Sequence, residues 1–83
     1  MNKRKRRINE HKFQNWEVLQ NGGRRYWYDV PGQLGWIDRY VKEVNAYEET
    51  LRFYQEIYND KRELIKVHKK YPKDLGHQKI YKE

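Results

Sequence analysis

Asn21-Gly22 separates two short runs dense in aromatic and β-branched residues, 16–20 and 24–30. Both residues of an Asn-Gly pair tolerate positive φ, which makes the pair the strongest short-range signal for a β-hairpin. Pro31-Gly32 marks a second turn, and Gly35 restarts the chain into a run from Trp36 to Val41. Asn45-Ala46 is a weaker break, and Asn59-Asp60 divides 50–58 from a run beginning at Leu64. Pro72 closes that run, because proline cannot donate to a strand ladder. These punctuation marks predict a mainly β protein: a small single-domain antiparallel meander of about five strands. In the last hairpin, strict alternation would put Leu51, Phe53 and Ile57 on one face with Ile65 and Val67 across from them.

A helical reading competes over 36–71. Ile37, Tyr40, Val44, Tyr47, Leu51, Tyr54, Tyr58 and Ile65 fall on heptad-like positions, the pattern of a long amphipathic helix. The β-branched and aromatic content and the asparagine interruptions oppose it. Both readings stand at this point, with the meander preferred.

The chain has 83 residues, so one thin core is all it can build. With 37% charged residues it would read as disordered, but 16% aromatic residues supply something to bury. There is no cysteine, which excludes disulfides and thiolate chemistry. No apolar stretch approaches the roughly 18 residues that a spanning helix needs, so neither a membrane partner nor a secretory leader is expected and the expected location is cytoplasmic.

The formal charge of +7 is concentrated at the two ends. Lys3, Arg4, Lys5, Arg6, Arg7 and Lys12 face only Glu10 in the first twelve residues, whereas 13–65 are slightly acidic. Five consecutive cations repel one another, so residues 1–12 read as a basic, disordered arm, with 8–13 open to a short helix or an extended lead-in, 13–72 as the β-rich domain and 73–83 as a polar basic tail. Lys3, Arg4, Lys5, Arg6 and Arg7 are candidate phosphate contacts. The plainer alternative is a solubilising tail. Arg24, Arg25 and Trp27 extend the candidate nucleic-acid surface, because RNA-binding sheets hold phosphates with arginine and stack bases on rings. Alternation would place Arg25, Trp27 and Asp29 on one face while Tyr26 and Tyr28 turn to the core.

No phosphate-binding glycine loop, dinucleotide fingerprint, paired-histidine helix or nucleophile elbow is present in the sequence. His68, Tyr71, Lys73, Asp74 and His77 do cluster within ten residues. Metal-independent RNA cleavage needs a base for the 2′-OH, an acid for the leaving oxygen and cations on the phosphate, so His68, His77, Lys73 and Tyr71 are the catalytic candidates. The ordinary alternative is a half-exposed strand histidine and a histidine in a tail. His68, Asp74 and His77 fit no standard metal-ligand frame, and neither a metal nor a cofactor is expected.

The stretches 53–60, 64–74 and Gly76-His77, with the Gly23-Arg24-Arg25-Tyr26-Trp27-Tyr28 block, resemble small prokaryotic proteins that are similar to the TumE-like toxin components of toxin–antitoxin pairs. The resemblance spans about residues 22–77. TumE-like proteins usually end in a histidine-rich cluster, where this chain has His68 and His77. The resemblance implies a β-rich body, a microbial cytoplasm, an RNA-directed toxin and an antitoxin as protein partner. The expectation is therefore a small basic protein that interacts with nucleic acid, RNA before DNA, and any activity would be that of a metal-independent endoribonuclease. The rival class is a non-catalytic protein-interaction or accessory module.

Overall fold

The computed structural model describes residues 2–73 and the backbone of 76–79. One helix, α1 (Lys3–Phe13), precedes six strands: β1 (Asn15–Val18), β2 (Arg24–Pro31), β3 (Ile37–Val44), β4 (Thr50–Tyr58), β5 (Leu64–Tyr71) and β6 (Gly76–Lys79). The strands pair antiparallel in chain order, giving a single meander sheet. The mainly β reading therefore holds. The long helix over 36–71 does not form: its heptad positions divide between the two faces of the sheet, with Tyr40 opposite Tyr28 and Ile37 opposite Tyr58. No helix among the described residues is long and apolar enough to cross a membrane.

Three of the hairpin loops share one device. In each, the first residue's N–H donates to the carbonyl of the fifth, and the fourth residue's N–H donates back to the carbonyl of the first: Leu19 with Gly23 and Gly22, Asn45 with Glu49 and Glu48, Asn59 with Glu63 and Arg62. The fourth residue is left-handed in all three, Gly22 at φ 82°, Glu48 at 64° and Arg62 at 63°. Asn45 and Asn59 lock the two loops that lack glycine, each Oδ1 accepting from backbone N–H groups two and four residues on. The Asn21-Gly22 turn is thus part of a five-residue loop rather than a two-residue one, and only Gly22 needs positive φ.

Alternation along the strands gives the sheet two different sides. Arg24, Tyr26 and Tyr28 of β2 share the side covered by α1, with Lys42 and Val44 of β3 and Phe53 of β4. Phe13 of α1 packs there against Tyr26 and Tyr28, with ring centroids 5.8 and 5.4 Å apart. Phe13, Tyr26 and Val44 are fully buried and form the core. Arg25, Trp27 and Asp29 lie on the open side, as alternation requires, above the fully buried Val41.

Bulges correct the expected last hairpin. Leu51 is skipped between the pairs Glu43–Arg52 and Val44–Thr50, Ile65 between Ile57–Lys66 and Tyr58–Leu64, and Lys70 between Tyr54–Lys69 and Phe53–Tyr71, which returns Tyr71 to the helix side. Val67 lies opposite Glu56, on the open side, and not across from Ile57. Each extra residue moves everything beyond it to the other face.

The basic segment expected to be a disordered arm is helical. Asn2 caps it, its Oδ1 accepting from the Lys5 N–H at 3.0 Å, and Gln14 closes it in a left-handed conformation. Lys3, Arg4 and Lys5 in the first turn oppose the helix dipole, so the local sequence alone does not account for the helix. Contacts to the sheet do. The expected tail contributes β6 at 76–79, which pairs with β5.

Candidate nucleic-acid interface

Glu48 anchors α1 to the sheet. The β3–β4 loop turns its carboxylate inward, and the residue is 2% exposed. Arg6 Nε donates to it at 2.6 Å, the Tyr26 hydroxyl at 2.8 Å and Asn9 Nδ2 at 3.1 Å. Burial pushes the Glu48 pKa up, but donation from Arg6, Asn9 and Tyr26 outweighs burial and holds it below the usual carboxylate value. Asn9 Oδ1 in turn accepts from Lys42 Nζ at 3.0 Å. Arg24 adds a second tie, pairing with Glu10 at 2.6 Å while its guanidinium lies over Trp16.

Between α1 and the β3–β5 part of the sheet runs a groove of about 580 Å³. Phe13 and Phe53 form apolar walls, and Tyr71, the last residue of β5, stands at its rim. Lys5, Lys12 and Lys42 surround it. Among the described residues, none of these three ammonium groups has a carboxylate within ion-pair distance. Partial burial lowers the Lys42 pKa, and repulsion from Lys12 and Lys5 lowers it further against the attraction of Glu48.

The open side is built the opposite way. Arg25 pairs with Glu56 at 3.3 Å, Arg39 with Asp29 at 2.7 Å and Arg52 with Glu43 at 2.6 Å. Trp27 lies between the guanidinium groups of Arg25 and Arg39, 5.5 and 5.8 Å from its ring centre. Arg25, Arg39 and Arg52 are already paired, and Trp27 already has cationic partners.

The sequence candidates consequently separate. Arg6 is tied to Glu48, Arg24 to Glu10 and Arg25 to Glu56, so three of the candidate phosphate contacts serve the fold. Trp27 sits on the side remote from α1. Lys3, Arg4 and Arg7 are exposed on α1, and Lys5 reaches the groove. Tyr71, from the proposed catalytic set, lines the same groove, which unites two sites the sequence placed at opposite ends of the chain. His68 lies on this side too, opposite Gln55, and Lys73 is exposed just beyond Tyr71. The backbone of His77 pairs with that of His68, while its side chain and all of Asp74 lie outside the described residues. Among the described residues, no cluster of three or more acidic or histidine side chains could hold a metal.

Sequence reasoning missed Lys12, Lys42 and Phe53. The seven-residue spacing of Lys5 and Lys12 would have placed both on one helix face. Lys42 gave no signal, because a strand lysine ordinarily reads as solvated. The chain matches no family model, no curated protein and no solved structure.

Proposed function

We propose that this is a nucleic-acid-binding protein, with RNA preferred over DNA, and that its binding surface is the helix side of the sheet. The observation that carries the reading is the contrast between the two sides. Arginines on the open side are matched by carboxylates, whereas Lys5, Lys12 and Lys42 gather around one groove without an ion-pair partner among the described residues. Three cations there outnumber the single lining carboxylate among the described residues, Glu49, and none is paired with it, which favours an anion in the groove. The exposed Tyr71 at the rim adds a ring that a base can use. The exposed Lys3, Arg4 and Arg7 lengthen the positive surface along α1.

The resemblance to TumE-like proteins supports the physiological form of this reading. On that basis the chain is a cytoplasmic toxin directed at RNA and restrained by an antitoxin. A cleaving activity is favoured by one observation, the pairing of the His68 and His77 backbones across β5 and β6. His68 and His77 would then exchange protons with the 2′-OH and the leaving oxygen, with Tyr71 and Lys73 as the other members of the catalytic set.

Fluorescence anisotropy with labelled RNA over a salt series tests the binding claim. Affinity should fall with salt, and Lys5→Ala and Lys12→Ala should each flatten the slope by about 0.7 on single strands. A protein that binds no RNA at low salt but co-purifies with a defined protein partner belongs to the rival class of interaction modules. For cleavage, His68→Ala and His77→Ala should each lower the rate on the order of 10²-fold or more. RNA left intact by the purified wild-type protein limits the function to binding.

A further inference from the structure

Three aromatic rings are exposed among the described residues: Trp16, Tyr47 and Tyr71. Trp16 is already occupied, since the Arg24 guanidinium lies 5.2 Å from its ring centre and Tyr26 lies beside it. Tyr47 and Tyr71 have neither a ring nor a cation against them among the described residues, although they are 64% and 47% exposed. Burying an aromatic ring is favourable, so rings left open at rigid positions call for an explanation.

Both open onto one track. Tyr71 borders the groove described above, and Tyr47 borders a second depression of about 680 Å³ together with Lys3 and Lys5. Lys5 and Glu49 border both, so the two depressions adjoin at Lys5. Each ring is held on a fixed element. Tyr47 lies in the β3–β4 loop, its N–H donating to Asn45 Oδ1 at 2.9 Å, and Tyr71 ends β5 opposite Phe53. Lys5 is thus shared, with Tyr47 and Lys3 bordering the depression on one side of it and Tyr71, Lys12 and Lys42 bordering the groove on the other. Glu49 lines both depressions as well, its Oε1 accepting from Asn45 Nδ2 at 2.9 Å.

From two open rings in adjoining depressions that share Lys5, and resting on the nucleic-acid reading above, we infer that the track takes single-stranded RNA, stacking separate unpaired bases on Tyr47 and Tyr71 with phosphate between them on Lys5. A ring can stack on a base only where that base has left its duplex neighbours, so the pattern selects unpaired strands. Every base has a π-face, so the track tolerates sequence.

The test uses the full-length protein with a short fluorescein-labelled oligoadenylate, alone or annealed to its complementary oligouridylate. The single strand should bind more tightly than the duplex. Tyr47→Ala and Tyr71→Ala should each weaken single-strand binding roughly five- to 150-fold while leaving the salt slope unchanged. Tyr47→Phe and Tyr71→Phe should keep the affinity, since the ring is what stacks. Lys5→Ala should instead flatten the slope by about 0.7. Circular dichroism on each variant establishes that the sheet is retained. If affinity depends on the lysines and salt but not on either tyrosine, or if the duplex binds as tightly as the single strand, the stacking track is overturned while the phosphate reading stands. Absence of any binding at low salt overturns both.

Discussion

Arg6 and Glu48 stand 42 positions apart in the chain, yet Arg6 Nε lies 2.6 Å from Glu48 Oε1. The pair explains how a run of five cations becomes an ordered helix. Short isolated helices are marginal in water, and tertiary contacts usually decide whether they form. Here one buried carboxylate takes a guanidinium and an amide from α1 and a hydroxyl from β2. It thereby fixes the helix over the sheet and sets the position of Lys5 and Lys12.

Glu48→Ala should loosen α1 before it harms the sheet. The change leaves Arg6, Asn9 and Tyr26 donors without their acceptor, and breaking such a buried pair costs about 3 kcal/mol, at the low end of the range because Arg6 keeps some contact with water. Urea unfolding should show that loss. Hydrogen exchange should show faster amide exchange in 3–13 than in β2 to β4. Equal acceleration throughout would mean that the helix is not held by this carboxylate in particular.

Glu48 and Tyr26 also make stability depend on pH. The Glu48 pKa is lower in the folded protein than its ordinary value of 4.5, so its contribution is complete above that value and disappears as pH falls through the folded pKa. Thermal midpoints should drop on acidification below that point, and Glu48→Gln should flatten the drop. At the alkaline end, burial, together with donation to Glu48 and against the opposing effect of Arg24, pushes the Tyr26 pKa up to about 12. Stability from this group is complete below its ordinary 10.0 and is lost as pH rises through the folded value. Burial raises the Tyr54 hydroxyl to about 12 as well, so Tyr26→Phe should reduce the alkaline loss without abolishing it, and ultraviolet phenolate absorbance should show Tyr26 ionising late, with unfolding.

Arg25→Ala should cost stability and leave RNA binding alone. Its guanidinium donates to Glu56 and to the Tyr54 hydroxyl and covers Trp27. Hydrogen bonds to charged groups contribute about 1.5–3 kcal/mol, so a loss in that range is expected by urea unfolding. Anisotropy titrations should give an unchanged salt slope. A flatter slope would return the binding surface to the open side.

Local signals carried the meander. Asn21-Gly22, Pro31-Gly32 and Asn59-Asp60 act through their own backbone preferences, and alternation across 24–30 needs no distant information, so Tyr26 and Trp27 could be assigned to opposite sides from sequence. Bulges at Leu51 and Ile65 had no such signal, and each reversed the facing of what followed. The helix was illegible for a different reason: what orders it is Glu48, which in sequence is one more acid in a loop. Arg24 and Arg25 looked available because a sequence does not show that Glu10 and Glu56 will meet them. The groove likewise joins Lys5 to Tyr71 through two long-range packing events.

Lys42 offers the most specific test of the groove, because its proton should be linked to binding. In the unbound protein its pKa is lowered from 10.5, first by burial and then by Lys12 and Lys5. A phosphate in the groove would favour the charged ammonium and raise that pKa again. Binding should therefore be strongest while Lys42 is protonated, and should weaken as pH rises through its unbound pKa, with proton uptake on association in that range. Oligodeoxyadenylate is a suitable probe, since it resists alkaline strand scission. Its affinity should be flat near neutral pH and fall as the solution approaches the ordinary lysine value. Lys42→Arg should keep the affinity and move the onset of the fall to higher pH, because guanidinium stays protonated throughout and can still donate to Asn9. Lys42→Met should weaken binding at neutral pH and leave little fall near the Lys42 pKa. A wild-type profile indistinguishable from that of Lys42→Arg would show that no phosphate approaches Lys42, and the groove would then be bordered by cations that bind elsewhere along α1.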